Sequence, residues 1–63
     1  MRRNCYVVEM NSALAGLFEQ LDDHGFDYEC EEHRSHGISY IEICVLYYPH
    51  EIQDLENIFA PYV

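Results

Sequence analysis

Apolar and acidic residues alternate without a break from Phe26 to Glu31, the clearest period-two pattern in the chain. This alternation predicts a strand with one buried and one exposed face. The segment Cys5–Met10 is rich in β-branched and aromatic residues and predicts an earlier strand. Ile38–Tyr48 is longer and apolar on both sides, as expected of a central strand. Ser35, His36 and Gly37 supply the turn chemistry that joins the last two strands into a hairpin.

Two segments have helical periodicity instead. The first follows Asn11 and Ser12, both good N-cap residues, and Gly25 is a natural residue to end it. Its apolar stripe consists of Leu14, Leu17, Phe18 and Leu21. The second begins at Pro49, which suits a first helical turn, and Pro61 should stop it. Its apolar face consists of Ile52, Leu55, Ile58 and Phe59.

The resulting order, β-α-β-β-α, predicts a single α+β domain spanning residues 1–63. A hairpin pairs antiparallel strands, and a helical crossover joins parallel ones. With the third strand in the middle, the sheet is antiparallel or mixed, in the order 1-3-2, and both helices lie on one face. That is a ferredoxin-like arrangement without its last strand. The helices should cover Val8, Tyr28 and Ile43 and leave the opposite sheet face open.

The net charge is the most distinctive property of the chain. Twelve acidic residues oppose three arginines, with no lysine, so the formal net charge is -9. This excess disfavours nucleic acid and anionic membranes as partners and favours a basic protein surface. Six tyrosines and three phenylalanines set the chain apart from a disordered acidic tail, so we expect it to fold.

The alternation places Asp27, Glu29 and Glu31 on one strand face, with successive carboxylates about 6.6–6.8 Å apart. Phosphates on a DNA strand advance about 3.4 Å per nucleotide, so the row matches every second phosphate. Tyr40 and Glu42 should lie on the same open face, where tyrosine is a common interface anchor. Asp22, Asp23 and Glu32 lie close to this row in sequence and are expected to extend it around the edge of the sheet. The predicted partner-binding residues are Glu9, Asp22, Asp23, Asp27, Glu29, Glu31, Glu32, Tyr40 and Glu42. The alternative is a merely solvated face that also protects an edge strand.

Other chemistry has weaker support. Cys30, His33, His36 and Cys44 resemble a zinc set, but the spacing C-x2-H-x2-H-x7-C is uncommon, and the two cysteines should point to opposite faces. We therefore predict no metal and no cofactor. A nucleotide-binding glycine loop is absent, and no positive environment activates a thiol, so we predict that the protein is not an enzyme.

Three cysteines are an odd number and too few for a disulfide scaffold. The N-terminus also lacks the apolar segment of a signal peptide. These features predict an intracellular protein with reduced cysteines.

A small, lysine-poor, strongly acidic α/β domain resembles the phage-encoded anti-CRISPR proteins that mimic DNA. The likeness is one of size and charge and involves no shared motif, with Asp27, Glu29, Glu31 and Glu42 as the phosphate mimics. It implies binding to a basic DNA-binding or PAM-recognition surface of a Cas protein, with a type I surveillance complex favoured. It also implies action in the cytoplasm of a bacterial host, with no direct nucleic-acid or membrane partner.

Other readings of the sequence remain open. An acidic antitoxin or adaptor that neutralises another basic nucleic-acid-binding protein would have nearly the same sequence. A zinc-stabilised structural module is a third reading. The protein could be a monomer or a homodimer under any of them, although repulsion between facing carboxylates makes the open sheet face a poor self-partner near neutral pH.

Overall fold

Three strands and two helices follow one another in the predicted order. The computed structural model describes residues 1–63. Its elements are β1 (Arg2–Glu9), α1 (Leu14–His24), β2 (Asp27–Ser35), β3 (Ile38–Tyr47) and α2 (Ile52–Phe59). The helix α2 ends at Phe59, before Pro61, as predicted, and short 3₁₀ turns at Pro49–Glu51 and Ala60–Tyr62 flank it.

The sheet has the order β1-β3-β2, and both strand pairs are antiparallel. This confirms the α+β fold class and the central place of β3. Two strands are longer than predicted. β1 begins at Arg2, which pairs with Tyr47, and β2 continues past Glu31 to Ser35, which pairs with Ile38. Backbone pairing with the long central strand accounts for these extensions, which the side-chain pattern does not reveal.

A two-residue turn connects β2 to β3. His36 and Gly37 both have positive φ, 53° and 79°. Left-handed conformations at both central positions are typical of the type I′ turn, whose twist matches that of paired strands. Gly37 adopts this conformation without strain, and His36 belongs to a residue type enriched there.

Both helices pack on one face of the sheet, as predicted. Tyr6 of β1 stacks on Phe59 of α2 with ring centroids 3.9 Å apart, and Phe18 of α1 stacks on Tyr28 of β2 at 5.7 Å. Thus α2 lies over the β1 side of the sheet and α1 over the β2 side. The buried core contains Val8, Leu14, Leu17, Leu21, Phe26, Ile41, Ile43, Val45, Tyr47, Leu55, Ile58 and Phe59.

The start of α1 differs from the expectation. The Asn11 side chain accepts a hydrogen bond from the Ala13 N–H at 2.8 Å, which closes a local turn before the helix. The helix therefore begins at Leu14, and no side chain caps it. Gly25 ends α1 with a φ of 78°, as predicted for a left-handed C-terminal residue.

The prediction of three reduced cysteines is wrong for two of them. Cys5 and Cys44 lie directly opposite each other on β1 and β3 and form a disulfide bond, with their Cα atoms 4.0 Å apart. Cys30 is the single free cysteine and is exposed. The pairing follows from the register between two strands that are distant in sequence.

Candidate interaction surface

The sheet face opposite the helices carries most of the predicted binding residues. Side chains alternate between faces along each strand, so the register identifies the side chains that share this face. Its carboxylates are Glu9, Asp27, Glu29, Glu31 and Glu42. We call the surface formed by these five residues and the side chains between them the acidic face. Tyr40 also lies on it, paired with Glu9 on one side and His33 on the other.

Few cations offset these carboxylates. Arg3 is the only arginine on the acidic face, since the register places Arg2 and Arg34 on the helix side of the sheet. None of the three arginines lies within 4.0 Å of a carboxylate oxygen, because the ion-pair contacts of the structure all involve His33. The charge of the acidic face is therefore not neutralised by internal pairing.

Apolar groups lie among the carboxylates. Val7 is 59% exposed and Leu46 is 39% exposed, and the Cys5–Cys44 disulfide lies between them in the sheet. An open depression of about 470 Å³ occupies the Leu46 end of the face. It is lined by Arg3, Asp27, Tyr28, Glu29, Cys44 and Leu46. Exposed apolar groups rimmed by polar residues often mark protein-binding surfaces.

Three of the predicted binding residues lie elsewhere. Glu32 pairs with Ile41, which is buried beneath the helices, so its side chain leaves β2 on the helix side. Asp22 and Asp23 lie on α1 and are exposed, also on that side of the sheet. Proximity in sequence suggested that these residues extend the acidic row around the edge, but alternation and the position of α1 separate them from it.

Asp22 has a defined structural partner. The Tyr28 hydroxyl donates a hydrogen bond to Asp22 Oδ1 at 3.0 Å and ties α1 to β2. Burial of the phenol, reinforced by this hydrogen bond and by the negative charge of Asp22, raises the pKa of Tyr28 above its ordinary value.

Two apolar members of the acidic face, Val7 and Leu46, were not among the predicted binding residues. Val7 could have been predicted from the sequence. Val8 was assigned to the face covered by the helices, and because side chains alternate along a strand, Val7 must lie on the opposite face. Among the other tyrosines, Tyr47 is buried, and Tyr6 and Tyr28 pack against the core. Tyr48 is exposed, whereas Tyr62 packs against the core.

The four-residue zinc set considered from the sequence does not assemble. Cys44 is held in the disulfide, and Cys30 and His33 leave β2 on opposite faces. Partial desolvation also raises the pKa of the Cys30 thiol, which disfavours the thiolate needed for metal binding or nucleophilic attack. A different group comes together instead: one ligand atom each from Glu31, His33 and Glu42 lie within 4.8 Å of one another.

Compared with protein-family models, curated proteins and solved structures, the chain has no significant match. Neither helix is long and apolar enough to cross a membrane. Function is therefore inferred from the acidic face itself.

Proposed function

We propose that the protein is a binding inhibitor that docks its acidic face on the DNA-binding surface of another protein and so excludes DNA. The observation that carries this proposal is the set of five carboxylates on an uncovered sheet face without an arginine ion pair. Ordinary protein surfaces intersperse both signs of charge. The resemblance to DNA-mimicking anti-CRISPR proteins makes a Cas subunit of a type I surveillance complex the first partner to test.

Inhibition would be steric and electrostatic, with no catalytic step. The row Asp27, Glu29 and Glu31 would pair with lysines and arginines that otherwise grip DNA phosphates. Long-range attraction between opposite charges speeds such associations and makes them sensitive to salt. Val7 and Leu46 would supply desolvated contacts near the centre of the interface, and Tyr40 would serve as an aromatic anchor.

The experiment is capture of a surveillance complex on immobilised protein, followed by a salt gradient and by competition with target duplex DNA. We expect capture that salt weakens and that target DNA competes away. The variant Glu29→Lys/Glu31→Lys should abolish it. The control Glu19→Lys/Glu56→Lys makes the same change in net charge on exposed helix positions and should retain most of the binding.

Each outcome separates the alternatives. Equal loss in both double variants would mean that net charge, and not the acidic face, governs binding. Capture of a different basic nucleic-acid-binding protein in place of Cas subunits would favour the antitoxin or adaptor function. Binding that does not depend on salt would contradict charge mimicry altogether.

The proposed place of action is the cytoplasm of the bacterial host, where thiol systems reduce most disulfides. Cys5 and Cys44 lie on the acidic face, so the proposal requires that binding survive their reduction. Capture should therefore be repeated with a reductant present. Loss of binding under reducing conditions would exclude a cytoplasmic target.

A further inference from the structure

Two glutamates and one histidine converge on the acidic face near the hairpin turn. Glu31 and His33 are two residues apart on β2 and share that face, and Glu42 pairs with Glu31 across the β2–β3 ladder. His33 Nε2 lies 4.0 Å from Glu31 Oε2 and 4.0 Å from Glu42 Oε1. Three ligand atoms of types that transition metals accept are thus gathered by two hydrogen-bonded strands.

No other group of the protein forms a side-chain hydrogen bond or an arginine ion pair with these three side chains. None of the three makes a hydrogen bond, and no arginine approaches the two carboxylates within 4.0 Å. The other strand neighbour of Glu42 is Val7, which offers no charge. Like charges directly opposite in a sheet repel each other, so a cation between Glu31 and Glu42 would convert repulsion into attraction.

The distances between the three candidate ligand atoms are compatible with binding of one ion after small side-chain movements. Zinc binds imidazole nitrogen and carboxylate oxygen at about 2.0–2.2 Å in tetrahedral geometry, which places its ligand atoms about 3.3–3.5 Å apart. The three atoms here lie 4.0–4.8 Å apart and need to approach by about 0.5–1.5 Å. Their side chains are 38–72% exposed, so small rotations can bring them together.

We propose that Glu31, His33 and Glu42 bind one divalent transition-metal ion, with water completing the coordination. The imidazole distinguishes this site from an ordinary acidic patch, since nitrogen together with carboxylate oxygen favours Zn²⁺ and its first-row neighbours over Mg²⁺ or Ca²⁺. Metal binding requires no partner, so it can be tested apart from the proposed docking function, although the site shares Glu31 and Glu42 with the acidic face. It also differs from the four-residue zinc set suggested by the sequence, with which it shares only His33.

The test is calorimetric titration of untagged, oxidised protein with Zn²⁺, together with NMR detection of the His33 ring resonances. A Cys30→Ser background removes the free thiol as a competing ligand. We expect one ion per chain and a shift of the His33 signals on binding. His33→Ala and Glu42→Gln should each weaken binding at least about tenfold, the loss typical even of residues that merely support metal ligands.

Matched controls keep the test specific. His36→Ala removes an exposed histidine of the adjoining turn, and Glu56→Gln removes an exposed carboxylate of α2. Neither should change the affinity for Zn²⁺. Unchanged binding in folded His33→Ala protein, equal losses in the controls, or no saturable binding of Zn²⁺ would each overturn the proposal. Circular dichroism of every variant separates loss of the site from loss of the fold.

Discussion

Glu31 and Glu42 lie directly opposite each other on β2 and β3, with no arginine within 4.0 Å of either carboxylate. Paired strands normally place complementary or neutral side chains at such positions, because like charges there are destabilising. The arrangement persists because the hairpin register is fixed elsewhere, by the His36–Gly37 turn and by the buried side chains of β3. Stability is thus lowered at the same place where the negative charge is concentrated.

Relief of this repulsion should stabilise the fold. Glu42→Gln is expected to raise the free energy of unfolding by about 0.2–1 kcal/mol, the range for cross-strand pairs. Urea denaturation at pH 8 measures the change. Glu56→Gln removes the same amount of negative charge. Because Glu56 lies on α2 and has no carboxylate opposite it on a neighbouring strand, this variant should change stability less. A destabilised Glu42→Gln protein would show that the carboxylate makes a favourable contact instead.

Salt should act in opposite directions on folding and on docking. Sodium chloride screens repulsion among carboxylates, so the melting temperature of the free protein should rise with ionic strength. The same screening should weaken the proposed complex with a basic partner. Thermal melts and binding isotherms over one salt series test both effects. A melting temperature that falls as salt is added would contradict the assignment of a net repulsive charge distribution.

The disulfide should be detectable by thiol counting. Denatured, unreduced protein should contain one reactive thiol, from Cys30, and reduced protein three. Because the bond closes a long segment between Cys5 and Cys44, its removal by Cys5→Ser/Cys44→Ser should cost about 2–4 kcal/mol. Chemical denaturation measures this loss, with Cys30→Ser as the control that should change little. Three reactive thiols in protein purified under oxidising conditions would rule the bond out.

Alkaline pH should weaken the contact between Tyr28 and Asp22. A pKa raised by folding means that the folded state favours the neutral phenol. This contribution is complete below the ordinary pKa of 10.0 and is lost as the pH rises through the higher folded value. The melting temperature of the natural protein should therefore fall more steeply above pH 10 than that of Tyr28→Phe. Parallel curves for the two proteins would mean that the phenol makes no such contribution.

The hydrophobic pattern was sufficient to predict the element order, the central strand and the face covered by the helices. Each of these depends on local periodicity, as in the strict alternation around Tyr28 or the stripe that contains Leu17. The extension of β2 to Ser35 could not be predicted in this way. Its last residues are polar and exposed on both faces, and only their backbone pairing with β3 makes them a strand.

The candidate site was predictable only in part. Alternation assigned Asp27, Glu29 and Glu31 to one face, and the structure places them there. Pairings between distant strands required the register, which the sequence alone does not provide. Cys5 meets Cys44, and Glu42 meets Glu31, only because the central strand aligns them. Asp22 was assigned to the acidic row because it is near that row in sequence. However, α1 packs on one face of the sheet, and the carboxylates of the row lie on the opposite face.

The helices leave the hairpin end of the sheet uncovered, so this end should open more easily than the core. Every β2 residue from Glu29 to Ser35 is exposed, so the hairpin end is held mainly by its backbone ladder to β3. Segments with few buried contacts open locally at lower free energy than the core. Backbone amides near the hairpin turn should therefore exchange with solvent faster than those of Ile43 and Val45, which are fully buried. In the proposed complex, the carboxylates of this hairpin end would adjust their positions to a basic groove, and binding would reduce the motion of the hairpin end.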